Sequence, residues 1–144
     1  MPRAVPSAAV DEIIDVLRAA GERITTAKRA LVSELLGSTA HVTAEELIER
    51  VQKVHPDVNK STIYRILHSL EAHGIVEHVH LGHSAAVYHL SGKTHHHLVC
   101  ESCGRVQEVP EATLAAIARK LRHDFGFSAN LRHFAISGHC ETCG

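Results

Sequence analysis

Four cysteines occur in the chain, and they fall as two copies of one pattern, Cys100-Glu-Ser-Cys103-Gly104 and Cys140-Glu-Thr-Cys143-Gly144. A C-x-x-C followed by glycine closes a tight knuckle that aims both sulfurs at one point. Two knuckles together supply the four thiolates of a tetrahedral Zn²⁺ site with bonds of about 2.3 Å. Two disulfides or a thioredoxin-like redox pair would use the same residues. Neither motif sits in a βαβ pattern, however, and no spare cysteine remains. The expected zinc is structural and coordinatively full, so any chemistry lies elsewhere.

Histidine is the other concentrated residue, with 14 in 144 positions and a crowd between His68 and His97. The tightest groups are His78-Val-His80 and His95-His96-His97, a local density that signals metal. In a strand, residues 95 and 97 face one way and 96 the other, which sets His96 apart from its neighbours.

With 44% hydrophobic residues, only 3% aromatics and no tryptophan, the core must be aliphatic. No stretch has the length of an apolar membrane span, and Asp11, Glu12 and Asp15 interrupt the first residues too early for a signal peptide. A cytoplasmic location is expected, where thiols stay reduced and free to hold zinc. Net charge is −1, and residues 1–90 carry nine Lys/Arg against eleven Asp/Glu, so no general basic footprint exists. Positive charge is local, in Arg23, Lys28 and Arg29 and again in Lys60 and Arg65.

Along the chain, Val10, Ile13, Ile14 and Leu17 predict a helix over 8–20, stopped by Gly21. A second helix is expected over 26–36. Thr43-Ala-Glu-Glu46 is a capping box that opens a third, which Pro56 prevents from continuing. Asn59 caps a fourth that runs to Gly74, with Ile63, Ile66, Leu67 and Leu70 on its apolar stripe and Lys60, Ser61, Tyr64, Arg65 and His68 on its polar side. The short turn from His55 to Asn59 matches a helix-turn-helix, though an ordinary helical hairpin would look the same. Period-two runs at 75–80 and 85–90 read as a hairpin, which completes a winged helix. Residues 91–94 read as a hinge. Strands at 96–100, 105–109 and 131–138 and a helix over 111–125 follow, too small a core to stand without a zinc staple.

The combination of Ser61-Thr-Ile-Tyr-Arg65, Gly74-Ile-Val-Glu77, Val87-Tyr-His-Leu90, His95-His-His-Leu-Val-Cys-Glu-Ser-Cys-Gly104 and Gly138-His-Cys-Glu-Thr-Cys143 resembles the ferric uptake regulator family of bacterial metal-sensing repressors, from about residue 10 onward. The resemblance implies an α+β chain: an N-terminal winged helix-turn-helix domain over 1–90, a hinge at 91–94 and a small α/β dimerisation domain over 95–144. It implies a homodimer that binds operator DNA, with structural zinc on Cys100, Cys103, Cys140 and Cys143. It implies a regulatory metal on His41, His89, His95 and His97, with Glu108 completing the set. DNA contacts fall on Arg23, Lys28, Lys60, Ser61, Tyr64 and Arg65.

A further metal site known in some members would need ligands where this chain has Thr94, His96, Ala115 and Arg132, so it is expected to be absent or rebuilt. His78, His80 and His133 are similar to a ligand set of the nickel-responsive branch and form a candidate second site. Imidazole with one carboxylate suits Ni²⁺, Fe²⁺, Co²⁺ or Zn²⁺. The reading favours Ni²⁺ over Fe²⁺, with an iron-based peroxide sensor and a zinc uptake repressor as alternatives. A metalloenzyme or metal-storage protein is more remote, since no H-E-x-x-H or nucleophile–base pair appears and storage needs no recognition helix.

Overall fold

The computed structural model describes residues 7–38, 41–80, 85–91, 95–131 and 135–144, without the side chain of His95. It divides into two compact units, Met1–His78 with Val87–Ser91, and Val79–Ala86 with Gly92–Gly144.

The first unit is built on four helices: α1 (Ser7–Ala19), α2 (Thr26–Gly37), α3 (Ala44–Val54) and α4 (Lys60–Ala72). The starts of α2, α3 and α4 each have a cause in the sequence. Thr25 Oγ1 accepts from Lys28 N at 3.2 Å to open α2. At α3 the capping box is reciprocal: Thr43 Oγ1 accepts from Glu46 N at 3.2 Å, and Thr43 N donates to Glu46 Oε2 at 2.8 Å. Asn59 Oδ1 accepts from Thr62 N at 3.0 Å to open α4. Gln52 Nε2 donates to Val58 O at 2.8 Å and fixes the turn between α3 and α4.

Apolar stripes of all four helices meet in one aliphatic core. Ile14, Leu17, Leu31, Leu47, Ile63 and Leu70 are fully buried in it. Cutting any of these to alanine would cost about 2–5 kcal/mol. At the end of α4, Gly74 at φ +66° takes the left-handed conformation that lets Ile75 N reach Leu70 O at 2.9 Å and turns the chain into strand.

Strands β2 (Val76–His80) and β3 (Ala86–Leu90) form the expected hairpin. A two-residue strand, β1 (Val42–Thr43), was not expected. It joins their sheet in the order β1-β3-β2, with Val42 opposite Tyr88 and Thr43 opposite Val87.

The second unit holds β4 (His95–Cys100), β5 (Val106–Pro110), α5 (Glu111–Phe125) and β6 (Ala135–Gly138). β5 runs antiparallel to β4, and β6 runs parallel to it on the other side. The last strand was expected over 131–138, of which 132–134 lie outside the described residues. On α5, Leu114 is buried, whereas Ile117, expected on the same face, is 51% exposed, and Phe125 at the helix end and Phe127 beyond it are exposed too.

Candidate metal centre and nucleic-acid interface

The parallel pairing of β4 with β6 is what builds the cysteine site. Cys100 lies beside Gly138 in that register, so both strands end at one edge of the sheet and each runs directly into a knuckle. Gly104, at φ +71°, closes the first knuckle with its N–H on Cys100 O at 2.9 Å, and Gly144 N closes the second on Cys140 O at 2.9 Å. The four sulfurs lie within 4.8 Å of one another, and none is in a disulfide.

Cys103 Sγ and Cys140 Sγ are 3.8 Å apart. A zinc tetrathiolate with bonds of about 2.3 Å has S···S edges of about 3.8 Å, so the donor set fits that ion. The electrostatics agree. Backbone N–H groups of Cys103 and Cys140 draw the Cys100 thiol down to about 6, so it ionises readily. Hydrogen bonding to Cys140 and Cys103 pushes Cys143 up to about 12. Four crowded thiols resist full ionisation by themselves, and a divalent cation removes that conflict.

The histidines divide between the two units. In the first, the unexpected β1 matters: continuing its register by one residue sets His41 opposite His89. Their rings meet edge to face with centroids 5.0 Å apart. In the second, His97 is fully buried, and Glu108 lies directly across from it on β5. Cross-strand partners share a face, so His97 and the Glu108 carboxylate project to one side of the sheet. His95 is in β4 two residues from His97, with its side chain outside what is described. His96, on the other face, is also buried, and neither of its ring nitrogens has a hydrogen-bond partner. Sequence alone gave no sign that His96 would be enclosed.

The candidate second site is placed only in part. His78 Nδ1 contacts Glu71 Oε1, and its ring lies 6.0 Å from that of Tyr88. His80 is exposed at the end of β2, and His133 lies outside the described residues.

Of the expected DNA contacts, Lys60, Ser61, Tyr64 and Arg65 are exposed on α4, and Arg23 is exposed before α2. Tyr64 Oη donates to Glu45 Oε1 of α3 at 3.1 Å. Lys28 is placed differently from the other five. It is only 6% exposed, and its ammonium donates to Glu22 Oε2 at 2.7 Å and to Arg23 O at 3.0 Å. Its ammonium is engaged inside the unit. Glu22 also receives His73 Nε2 at 3.1 Å, from the residue that ends α4.

The sequence matches the Ferric uptake regulator family over residues 19–136. The chain belongs to that family. It is 31% identical over 134 residues to the peroxide-responsive repressor PerR of Staphylococcus aureus, covering 93% of this chain and 90% of that protein. Among solved structures, the Vibrio cholerae ferric uptake regulator is 26% identical with a TM-score of 0.68, covering 88% of this chain and 98% of that one. The Helicobacter pylori ferric uptake regulator, 19% identical, reaches a TM-score of 0.77 over 98% and 96% of the two chains and shares the fold. The family consists of transcription regulators, and this chain is a metal-dependent repressor of that kind, not an enzyme. Among the described residues, no helix is long and apolar enough to cross a membrane.

Proposed function

We propose that the chain works as a cytoplasmic homodimer that binds operator DNA when a regulatory divalent ion is held by His41, His89, His95 and His97 with Glu108. The observation that carries this reading is the edge-to-face pair of His41 and His89, two imidazoles from separate strands brought together by the β1–β3 register. Structural Zn²⁺ on the four cysteines is a separate, permanent component. The partition into a DNA-binding domain over 1–90, a hinge at 91–94 and a dimerisation domain over 95–144 belongs to the same reading.

A bound divalent ion would supply a positive centre, held by the imidazoles with the Glu108 carboxylate. What the protein's own residues do is simpler. α4 carries Lys60, Ser61, Tyr64 and Arg65 to the groove, and a two-fold dimer presents two such helices at half-site spacing. Occupancy switches strongly only if the DNA-binding arrangement is favoured by several kcal/mol when the ligands are engaged.

For the ion, Fe²⁺ has more behind it than Ni²⁺. The nickel reading rests on His78, His80 and His133, of which His133 lies outside the described residues, and the family and relative that match are named for ferric uptake and peroxide response. A peroxide-responsive repressor is the second reading, favoured by the Staphylococcus aureus relative. Anaerobic protein loaded with Fe²⁺ and then given hydrogen peroxide separates the two. Irreversible loss of DNA binding, with one oxygen added to a peptide containing His41, His89 or His97, supports peroxide sensing. Full recovery of binding on fresh Fe²⁺, with no added oxygen, supports plain metal sensing.

A further inference from the structure

The hydroxyl of Tyr64 is already in use before any DNA arrives. Tyr64 lies on the exposed side of α4, 44% accessible, with Lys60 one turn earlier and Arg65 beside it. Its Oη donates across the helix-turn-helix to Oε1 of Glu45 in the first turn of α3, at 3.1 Å. A phenol has one proton to give and lone pairs to offer. With the proton directed at a carboxylate, a stronger acceptor than a neutral group, only acceptor capacity is left.

That assignment decides what Tyr64 can touch. Phosphate oxygens are acceptors and need a donor, which the hydroxyl no longer has. The Glu45 charge beside it also repels a phosphate approaching within a few ångströms. In the major groove, by contrast, the amino groups of adenine and cytosine are donors that match a free lone pair, and the thymine methyl matches the ring edge.

We infer that Glu45 is a positioning residue for sequence readout: it holds the Tyr64 hydroxyl as an acceptor, so that Tyr64 addresses base edges and not the backbone. The inference rests on the reading of α4 as the recognition helix. It assigns a role in specificity to a carboxylate that, counted as charge alone, would only weaken DNA binding.

The test uses the full-length dimer loaded with Fe²⁺ under anaerobic conditions, and a duplex enriched by the wild type from a random library. Affinities for that duplex and for a scrambled one of equal length are compared for wild type, Glu45→Ala, Glu45→Gln, Tyr64→Phe, the Glu45→Ala/Tyr64→Phe double variant and Arg65→Ala. Glu45→Ala should lower the selected-over-scrambled ratio by roughly tenfold while scrambled affinity holds or rises. Glu45→Gln keeps an acceptor oxygen and should stay within about threefold of wild type. Glu45→Ala should cost nothing more in the Tyr64→Phe background, because the two act as one unit.

An unchanged ratio in Glu45→Ala, or a full additional loss in the double variant, overturns the inference. If Arg65→Ala loses the selected duplex while Glu45→Ala and Tyr64→Phe discriminate as wild type does, the recognition helix stands and the role of Glu45 falls. If the wild type enriches no sequence, both fall together.

Discussion

The Glu22 carboxylate and the Lys28 ammonium lie 2.7 Å apart, the lysine side chain enclosed and the glutamate about one-third exposed. The same carboxylate receives His73 from the end of α4, so one side chain ties the turn after α1 to the start of α2 and the end of α4. Hydrogen bonds from Lys28 and His73, with the Lys28 charge beside them, draw Glu22 down to about 2 from an ordinary value of 4.5.

A depressed carboxyl value means that the unfolded chain binds more protons than the folded one between those two values. The stability from this carboxylate is therefore complete above pH 4.5 and is lost as pH falls toward about 2. Comparing acid unfolding of wild type and Glu22→Gln checks this. The wild type should be the more stable at pH 7, and the difference should close between pH 4.5 and 2. A difference that stays constant over that window contradicts the assignment.

Lys28 and Arg65 should separate stability from DNA contact. Lys28→Ala removes a buried ammonium from two acceptors and should cost about 1–3 kcal/mol of stability in urea unfolding. Its effect on the salt dependence of DNA binding should be negligible. Arg65→Ala should leave stability within about 0.5 kcal/mol and lower the salt slope by about one if it meets a phosphate, or relax sequence preference if it meets a base. The reverse pattern would return Lys28 to the interface.

Cys100→Ser removes a thiolate that neighbouring backbone N–H groups favour and leaves three sulfurs for a four-coordinate ion. Zinc content should fall from one per chain toward zero, with loss of the cooperative thermal transition of the second unit. Sedimentation should show the dimer weakened as a consequence. A Cys100→Ser protein that keeps its zinc and its dimer would remove the structural role from this site.

Much of this molecule is legible in the sequence where a single local rule suffices. The capping box at Thr43, the cap at Asn59 and the apolar stripe of α4 each depend on residues within a few positions of one another. The paired knuckles are equally explicit, because C-x-x-C-G specifies its own turn. What the sequence conceals are contacts made by folding. β1 is two residues long and has no period to detect, yet it sets His41 opposite His89. Lys28 reads as one more basic residue in a cluster until Glu22, six positions earlier, folds over it. Tyr64 and Glu45, 19 positions apart, meet only because α3 and α4 pack as they do. Ile117 fits a helical stripe, yet its side chain stays half exposed.

Metal held by the histidine ligands is proposed to switch operator binding on. Anaerobic DNA binding by protein carrying one zinc per chain, titrated with Fe²⁺, Ni²⁺, Mn²⁺ and Zn²⁺, tests it most directly, with His89→Ala and His97→Ala run alongside. The wild type should shift from weak, salt-sensitive association to specific binding as one further ion per chain is taken up, with Fe²⁺ effective at least as early in the titration as Ni²⁺. Both variants should remain zinc-containing dimers that bind DNA weakly at every metal concentration. Specific binding by metal-free wild type, or an unaltered metal response in both variants, would contradict the account.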